Sequence, residues 1–313
     1  MRITMDLKNR RLRILNFTSY SLNGAIASVI LQAYYPACTT VFASYKRQEE
    51  IMRRVLEAHK EFDVVIFTNF APTQDRDVYL TAKVPVVIFD HHENANWWKT
   101  KNQEKSKPFH VNQEYSGALM VYMYYIRFMA DLERYEDIAK IADDFELWKL
   151  KDFRSFHFNT LFWKAGNMTQ FMNRWKKGGS FALTEDEKNI LKEHVENWKK
   201  FYEELPQYPL EFNGRFVTTV DYFAEISKQM DMEGVNYFLV YNPKSSYITI
   251  RSCNALINCQ DVLGNLKVFS ASSKVGVIPC PDIEAAKKIM VQVENAIKAH
   301  LFRKINSYDD RDR

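Results

Sequence analysis

Asp90, His91 and His92 stand side by side, directly after the run Val84-Pro85-Val86-Val87-Ile88-Phe89. A carboxylate and two imidazoles in one turn can ligate a divalent cation or serve a phosphoryl-transfer site. A strand that ends in a polar turn needs only one such residue. Two adjacent histidines, in a chain with 7 His among 313 residues, favour a functional reading. A second acidic group, Asp143-Asp144-Phe145-Glu146-Leu147-Trp148, closes a helical stretch. Carboxylates there oppose the helix dipole, so a charge partner is expected, with Asp144 as the candidate. Trp97 and Trp98 fall in a charged loop and offer either rings for stacking on bases or a lid packed on the domain. Lys176-Lys177-Gly178-Gly179-Ser180 can touch phosphate, but it also reads as an ordinary helix end.

These groups need a scaffold, and the hydrophobic pattern supplies one. Strands are expected over Leu12 to Phe17, Thr39 to Ala43, Asp63 to Phe67 and Val84 to Phe89. Helices are expected between them, over Ala25 to Tyr34, Gln48 to His59 and Arg76 to Thr81. This alternation predicts a parallel, doubly wound α/β sheet with Asp90 at its carboxyl end, where such sheets hold ligands. Long helices follow from Tyr115 to Met129 and from Leu132 to Trp148. An aromatic helical stretch spans His157 to Trp175, and a capping box at Thr184 to Glu187 starts a charged helix. Beyond Pro206 and Pro209 a smaller α/β domain is expected. It has strands at Arg215 to Val220, Tyr237 to Tyr241 and Tyr247 to Arg251, and a closing helix from Ile283. The expected divisions are 1–150, a helical connector at 151–205, 206–305, and a polar tail at 306–313.

The composition permits such cores, with 46% hydrophobic and 14% aromatic residues. No run of eighteen apolar residues and no signal-peptide pattern appears, so a cytoplasmic protein without a membrane span is expected. Cys38, Cys253, Cys259 and Cys280 form no CxxC pair and read as reduced thiols. A net charge of +4 permits a phosphate-bearing ligand without requiring one.

Together these segments resemble the DHH phosphoesterase superfamily, in its two-domain DHH/DHHA1 branch of nanoRNase-type oligoribonucleases and single-strand exonucleases. The resemblance runs from Leu12 to about Ala299. It rests on Asp90-His91-His92 after a fourth strand, on the Ser116-Gly117-Ala118 helix opening, and on Asp144 in its acidic run. Tyr247-Ile248-Thr249-Ile250-Arg251-Ser252 is similar to the DHHA1 strand that delivers an arginine to substrate. The resemblance implies a DHH-like first domain, a DHHA1-like second domain, and a monomer or homodimer.

Its catalytic pattern departs from the family. Active members carry His-x-Asp-x-Asp-Gly after strand one, where this chain has Ser19-Tyr20-Ser21-Leu22-Asn23-Gly24. Asn69 stands where the family places an aspartate after strand three. The Gly-Gly-Gly-His turn of the second domain is replaced by Phe269-Ser270-Ala271-Ser272-Ser273-Lys274-Val275-Gly276, with only Gly276 matching.

The resemblance implies a site built for two manganese ions, of which Asp90, His91 and Asp144, with His92 in support, would hold one Mn2+ or Mg2+ or none. Substrate contacts would fall to Arg251, Ser252, Lys274 and Gly276, with Lys267 nearby, in a cleft between the domains. The expectation is a scaffold that has lost two-metal hydrolysis and binds a nucleotide, a short oligonucleotide or a protein partner. The alternative is an active, divergent manganese-dependent phosphodiesterase acting on short nucleic acids. A purely structural subunit, using the aromatic stretch Phe153 to Trp175 as its interface, is a third reading.

Overall fold

The computed structural model describes residues 6–98, 109–164, 168–219, 221–264, 266–268, 270–271 and 274–309. Part of the charged loop after Trp98, Phe269, Ser272 and Ser273 of the glycine-poor turn, and the last four tail residues lie outside the described residues. The chain forms two compact units, residues 1–192 and 193–313.

The first unit is built on five parallel strands in the order β2-β1-β3-β4-β5. They are β1 (Ile14–Ser19), β2 (Cys38–Ala43), β3 (Val64–Thr68), β4 (Val86–Asp90) and β5 (Phe109–Val111). The strand alternation is read directly in the two cores. Ile14, Val64, Ile66, Val87 and Phe89 face one layer, while Leu15, Phe17, Val65, Phe67, Val86 and Ile88 face the other. The first layer takes α1 (Leu22–Tyr34) and the helices Gly117–Tyr125 and Glu136–Glu146. The second takes α2 (Gln48–Glu57) and α3 (Arg76–Thr81). Helices on both faces of a parallel sheet in this order make it doubly wound, with the strand order reversing beside β1.

Several element bounds differ from the sequence expectation. The helix from Gly117 stops at Tyr125, where a 3-10 turn, Ile126–Phe128, takes over. The next helix begins at Glu136 after a 3-10 stretch over Ala130–Tyr135. Strand β5 has only three residues and follows a charged loop, so it carries too little pattern to be read from sequence.

The aromatic helices divide the segment expected as a connector. Phe153–Lys164 and Met168–Lys176 send Phe158, Leu161, Phe162, Phe171, Met172 and Trp175 into the core of the first unit. The charged helix Glu185–Glu204 runs across the division at residue 192.

The second unit holds a six-stranded mixed sheet, β10-β11-β9-β8-β7-β6. Its strands are β6 (Gln207–Leu210), β7 (Gly214–Thr218), β8 (Tyr237–Asn242), β9 (Tyr247–Ser252), β10 (Ser270–Ala271) and β11 (Val275–Pro279). Strand β6 carries Pro209 and lies at the sheet edge, where a missing ladder donor is tolerated. The helix Ile283–Asp309 covers one face through Ala286, Val293 and Ile297. The helix Phe223–Met232 covers the other through Ile226 and Met230.

Candidate functional site

Strands β1, β3 and β4 are neighbours, and their registers align Thr18 with Thr68 and Thr68 with Phe89. The next residues, Ser19, Asn69 and Asp90, therefore form one row at the carboxyl end of the sheet. Asn69 has left-handed backbone, φ 52°, which asparagine accepts more readily than most residues. Its backbone N–H donates to Phe89 O at 2.8 Å, which fixes the turn against β4. Gly117 lets the next helix start hard against this turn, because a Cβ there would lie 2.6 Å from Asn69 N. Gly24 does the same for α1, where a Cβ would meet Ser19 O at 2.0 Å.

The side chains around Asn69 form one hydrogen-bonded group. Asn69 Nδ2 donates to Ser19 Oγ at 2.7 Å and to Glu146 Oε1 at 3.1 Å, and its Oδ1 accepts from Asn23 Nδ2 at 2.7 Å. Asn23 Oδ1 in turn accepts from Ala118 N at 2.8 Å. Ser21 caps α1 by accepting from Gly24 N at 3.1 Å, and lies 3.0 Å from Ser19 Oγ. The four positions where the resemblance would place a histidine and three carboxylates are thus joined to one another as neutral groups.

Beside them is the charged half of the site. Asp90 is fully buried, and its Oδ1 accepts from His91 N at 3.0 Å and pairs with His92 Nδ1 at 2.7 Å. The two imidazoles stack at 4.2 Å. Asp90 Oδ2 and His91 Nδ1 are buried and have no hydrogen-bond partner among the described residues. Burial, and then the neighbouring His92, push His91 down to about 4, against the pull of Asp90. For His92 burial also acts downward, but the charge and hydrogen bond of Asp90 outweigh it and the net shift is upward. Burial raises Glu146, against the Asn69 hydrogen bond and the His92 charge.

One ligand atom from each of Asp90, His91 and His92 lies within 4.8 Å of the others. A carboxylate oxygen and neutral imidazole nitrogens suit a divalent cation, and the orphaned Asp90 Oδ2 and His91 Nδ1 are what a cation would satisfy. The residues present therefore fit one ion at this triad.

The structure brings Ser19, Ser21, Asn23, Asn69, Asp90, His91 and His92 together at one end of the sheet, but it gives Asp144 other work. Its carboxylate accepts from Lys151 N at 2.9 Å and Asp152 N at 3.2 Å, tying down the chain after the helix. Asp143 takes Ser116 N and the Lys149 ammonium, each at 2.6 Å, which supplies the charge partner expected at this helix end. The carboxylate that reaches the site is Glu146, 3.8 Å from His91 Nε2. Sequence reasoning passed over it. The usable signal was its place in the same acidic run, two residues beyond Asp144.

Trp97 and Trp98 are not an exposed pair. Trp98 has no exposed surface and Trp97 packs against the same core, because the chain turns inward directly after the site. In the second unit, Arg251 is buried, with Nη2 3.9 Å from Asp231 Oδ2, and burial lowers its pKa. Ser252 N donates to Lys274 O at 2.8 Å, and Lys274 and Lys267 are exposed. Gly276 lies in β11, where a Cβ would fall 2.2 Å from Leu263 Cδ1. Its position is set by packing against the helix Cys259–Leu263.

No family profile and no curated protein matches the chain by sequence. Solved structures do match. RecJ from Thermus thermophilus in complex with Mn2+ is similar over 94% of this chain at TM-score 0.61 and 13% identity. The chain spans 54% of that protein, so it corresponds to about half of it. A DHH domain described as belonging to a family of ribosomal proteins matches at TM-score 0.61 and 13% identity, covering 94% of this chain and 87% of that one. PggH, a pGpG-specific phosphodiesterase from Vibrio cholerae, matches at TM-score 0.54 and 13% identity, covering 92% and 99%.

Proposed function

From the DHH-phosphoesterase fold that this chain shares with those structures, we propose a protein that has lost two-metal hydrolysis and binds a nucleotide or short oligonucleotide at the carboxyl end of its first sheet. The observation that carries this reading is the closed network of Asn23, Asn69, Ser19 and Glu146. Two-metal catalysis needs anionic oxygens that hold two cations about 3.5–4 Å apart. Here the positions that would supply the second set are amides and hydroxyls, joined to one another and to Glu146 by hydrogen bonds. Loss of even an outer partner of a metal ligand costs about 10–100-fold in affinity or activity. Loss of the ligands themselves costs more.

One cation remains compatible with the site. Asp90, His91 and His92 would hold it, and it would supply positive charge for a phosphate oxygen. Asp90 anchors the pair of rings through His92, and His91 keeps a neutral nitrogen for the ion. The nucleotide class is supported by one similar structure, a pGpG-specific phosphodiesterase. The buried, unsatisfied Asp90 Oδ2 favours a second reading, a divergent one-metal phosphodiesterase.

The deciding experiment measures metal content after dialysis against Mn2+, binding of two- to five-nucleotide RNA and DNA by calorimetry, and turnover of the same oligomers. The expected result is at most one manganese per chain, measurable binding, and no turnover. Turnover that disappears in a His91→Ala variant overturns the loss of hydrolysis and installs the second reading. Absence of binding with or without manganese overturns the nucleotide reading and leaves a protein partner to be sought.

A further inference from the structure

The turn between β1 and α1 carries a half-exposed aromatic ring between the two serines of the site. Tyr20 is 49% exposed, and Trp163, from the helix Phe153–Lys164, is 53% exposed. Their ring centroids lie 5.4 Å apart. Tyr20 also touches Phe42 at 5.6 Å and Phe162 at 5.5 Å. Phe162 is buried in the core of the first unit and contacts Phe171 at 5.6 Å, so the two exposed rings have a firm backing. All three contacts of Tyr20 are tilted or edge-on, at 52° to 69°. None of these described neighbours lies parallel to its ring, and about half of the Tyr20 side chain is exposed.

The serines beside Tyr20 add a second observation. Ser19 and Ser21 have two hydroxyl protons, and the 3.0 Å contact between them uses one. Their other bonds are accepted, from Asn69 Nδ2 and Gly24 N. One hydroxyl proton therefore has no acceptor among the described hydrogen bonds. An oxygen-rich group within reach of that proton, joined to a flat ring lying on Tyr20, describes a nucleotide.

Resting on the nucleotide reading above, we infer that Tyr20 and Trp163 form a stacking seat for one base of a short oligonucleotide, whose sugar-phosphate oxygens take the spare serine hydroxyl. The seat recognises a π-face rather than a base edge, so it accepts any of the bases. Stacking on an aromatic side chain contributes enough to shift affinity by about 5- to 150-fold per base.

The test uses the full chain, a labelled three-nucleotide RNA, and the same oligomer with its bases removed. Wild type is expected to bind the base-bearing oligomer roughly tenfold more tightly than the abasic one, or better. Trp163→Leu and Tyr20→Leu, which keep apolar bulk over Phe162, are expected to bring the two affinities together. Trp163→Phe and Tyr20→Phe are expected to restore most of the difference. Thermal melts check that each variant is folded. If the leucine variants bind like wild type while His91→Ala loses binding, the seat is wrong and the site reading survives. A patch that serves only protein contact gives that same result. If wild type binds neither oligomer, both readings fall together.

Discussion

Asn69 Nδ2 donates to Glu146 Oε1 across 3.1 Å, joining the end of β3 to the end of a helix 77 residues further along the chain. An amide is needed for this bond, because a carboxylate at 69 has no proton to give at neutral pH. Asn69→Asp keeps the left-handed turn but sets two carboxylates against each other in a buried site. The variant is expected to lose about 1–3 kcal/mol of stability in EDTA. Manganese is expected to recover more of its melting temperature than it adds to wild type, since the variant adds an anionic oxygen to the row that holds Asp90. Melts with and without manganese decide it; an unchanged melting temperature in EDTA shows that the network holds nothing in place.

His110 gives a pH signature independent of the candidate metal residues. It stacks on Phe89 at 4.7 Å and 8°, and burial, then Arg127, push it down to about 4. The unfolded chain binds this proton near pH 6.5 and the folded chain does not, so stability is full above about 6.5 and falls as pH drops towards 4. His110→Phe keeps the stack and removes the proton site. The variant is expected to lose roughly 1–3 kcal/mol less than wild type between those limits. Chemical denaturation at pH 7 and pH 4 reads this directly, and parallel curves for the two proteins would contradict it.

Gly276 is held by packing. A Cβ there lies 2.2 Å from Leu263 Cδ1 and 3.1 Å from Ile250 Cγ2. Gly276→Ala is expected to cost about 1–3 kcal/mol, and Leu263→Ala in the same chain to return part of it by making room. A double-mutant cycle on unfolding free energies measures the coupling. Additive losses would mean the two positions do not press on each other.

Trp98 is a core residue by the same measure. Trp98→Ala is expected to cost about 3–5 kcal/mol, as deletions of large buried rings do. Oligonucleotide binding under conditions where the variant remains folded is expected to match wild type. A variant of normal stability with lost binding would return Trp98 to the surface role that its neighbourhood in sequence suggests.

Much of the first sheet could be read in advance because its information is local. The β-branched runs that end in Ser19, Thr68 and Asp90 alternate between two faces, and short helical patterns separate them. That periodicity is enough to give a parallel order with Asp90, His91 and His92 at its carboxyl end. The edge strands β5 and β6 escaped notice because three or four residues carry no period, and Pro209 argues against a strand until an edge position excuses it.

The sequence by itself determined that positions 19, 21, 23 and 69 carry serine and asparagine, which offer no anionic oxygen. It also determined that one carboxylate and two imidazoles share a turn. Only the tertiary structure decided what those residues do instead. Asn23 and Asn69 meet because α1 and the turn after β3 converge on the helix opening at Gly117, and no local pattern encodes a hydrogen bond 46 residues long. The same convergence selects Glu146 over Asp144, because a helix end turns one carboxylate inward and spends the other on the amides of the departing chain. It places Tyr20 against Trp163 for the same reason: which side chains share a surface depends on how packed elements meet, and that is settled by the whole core.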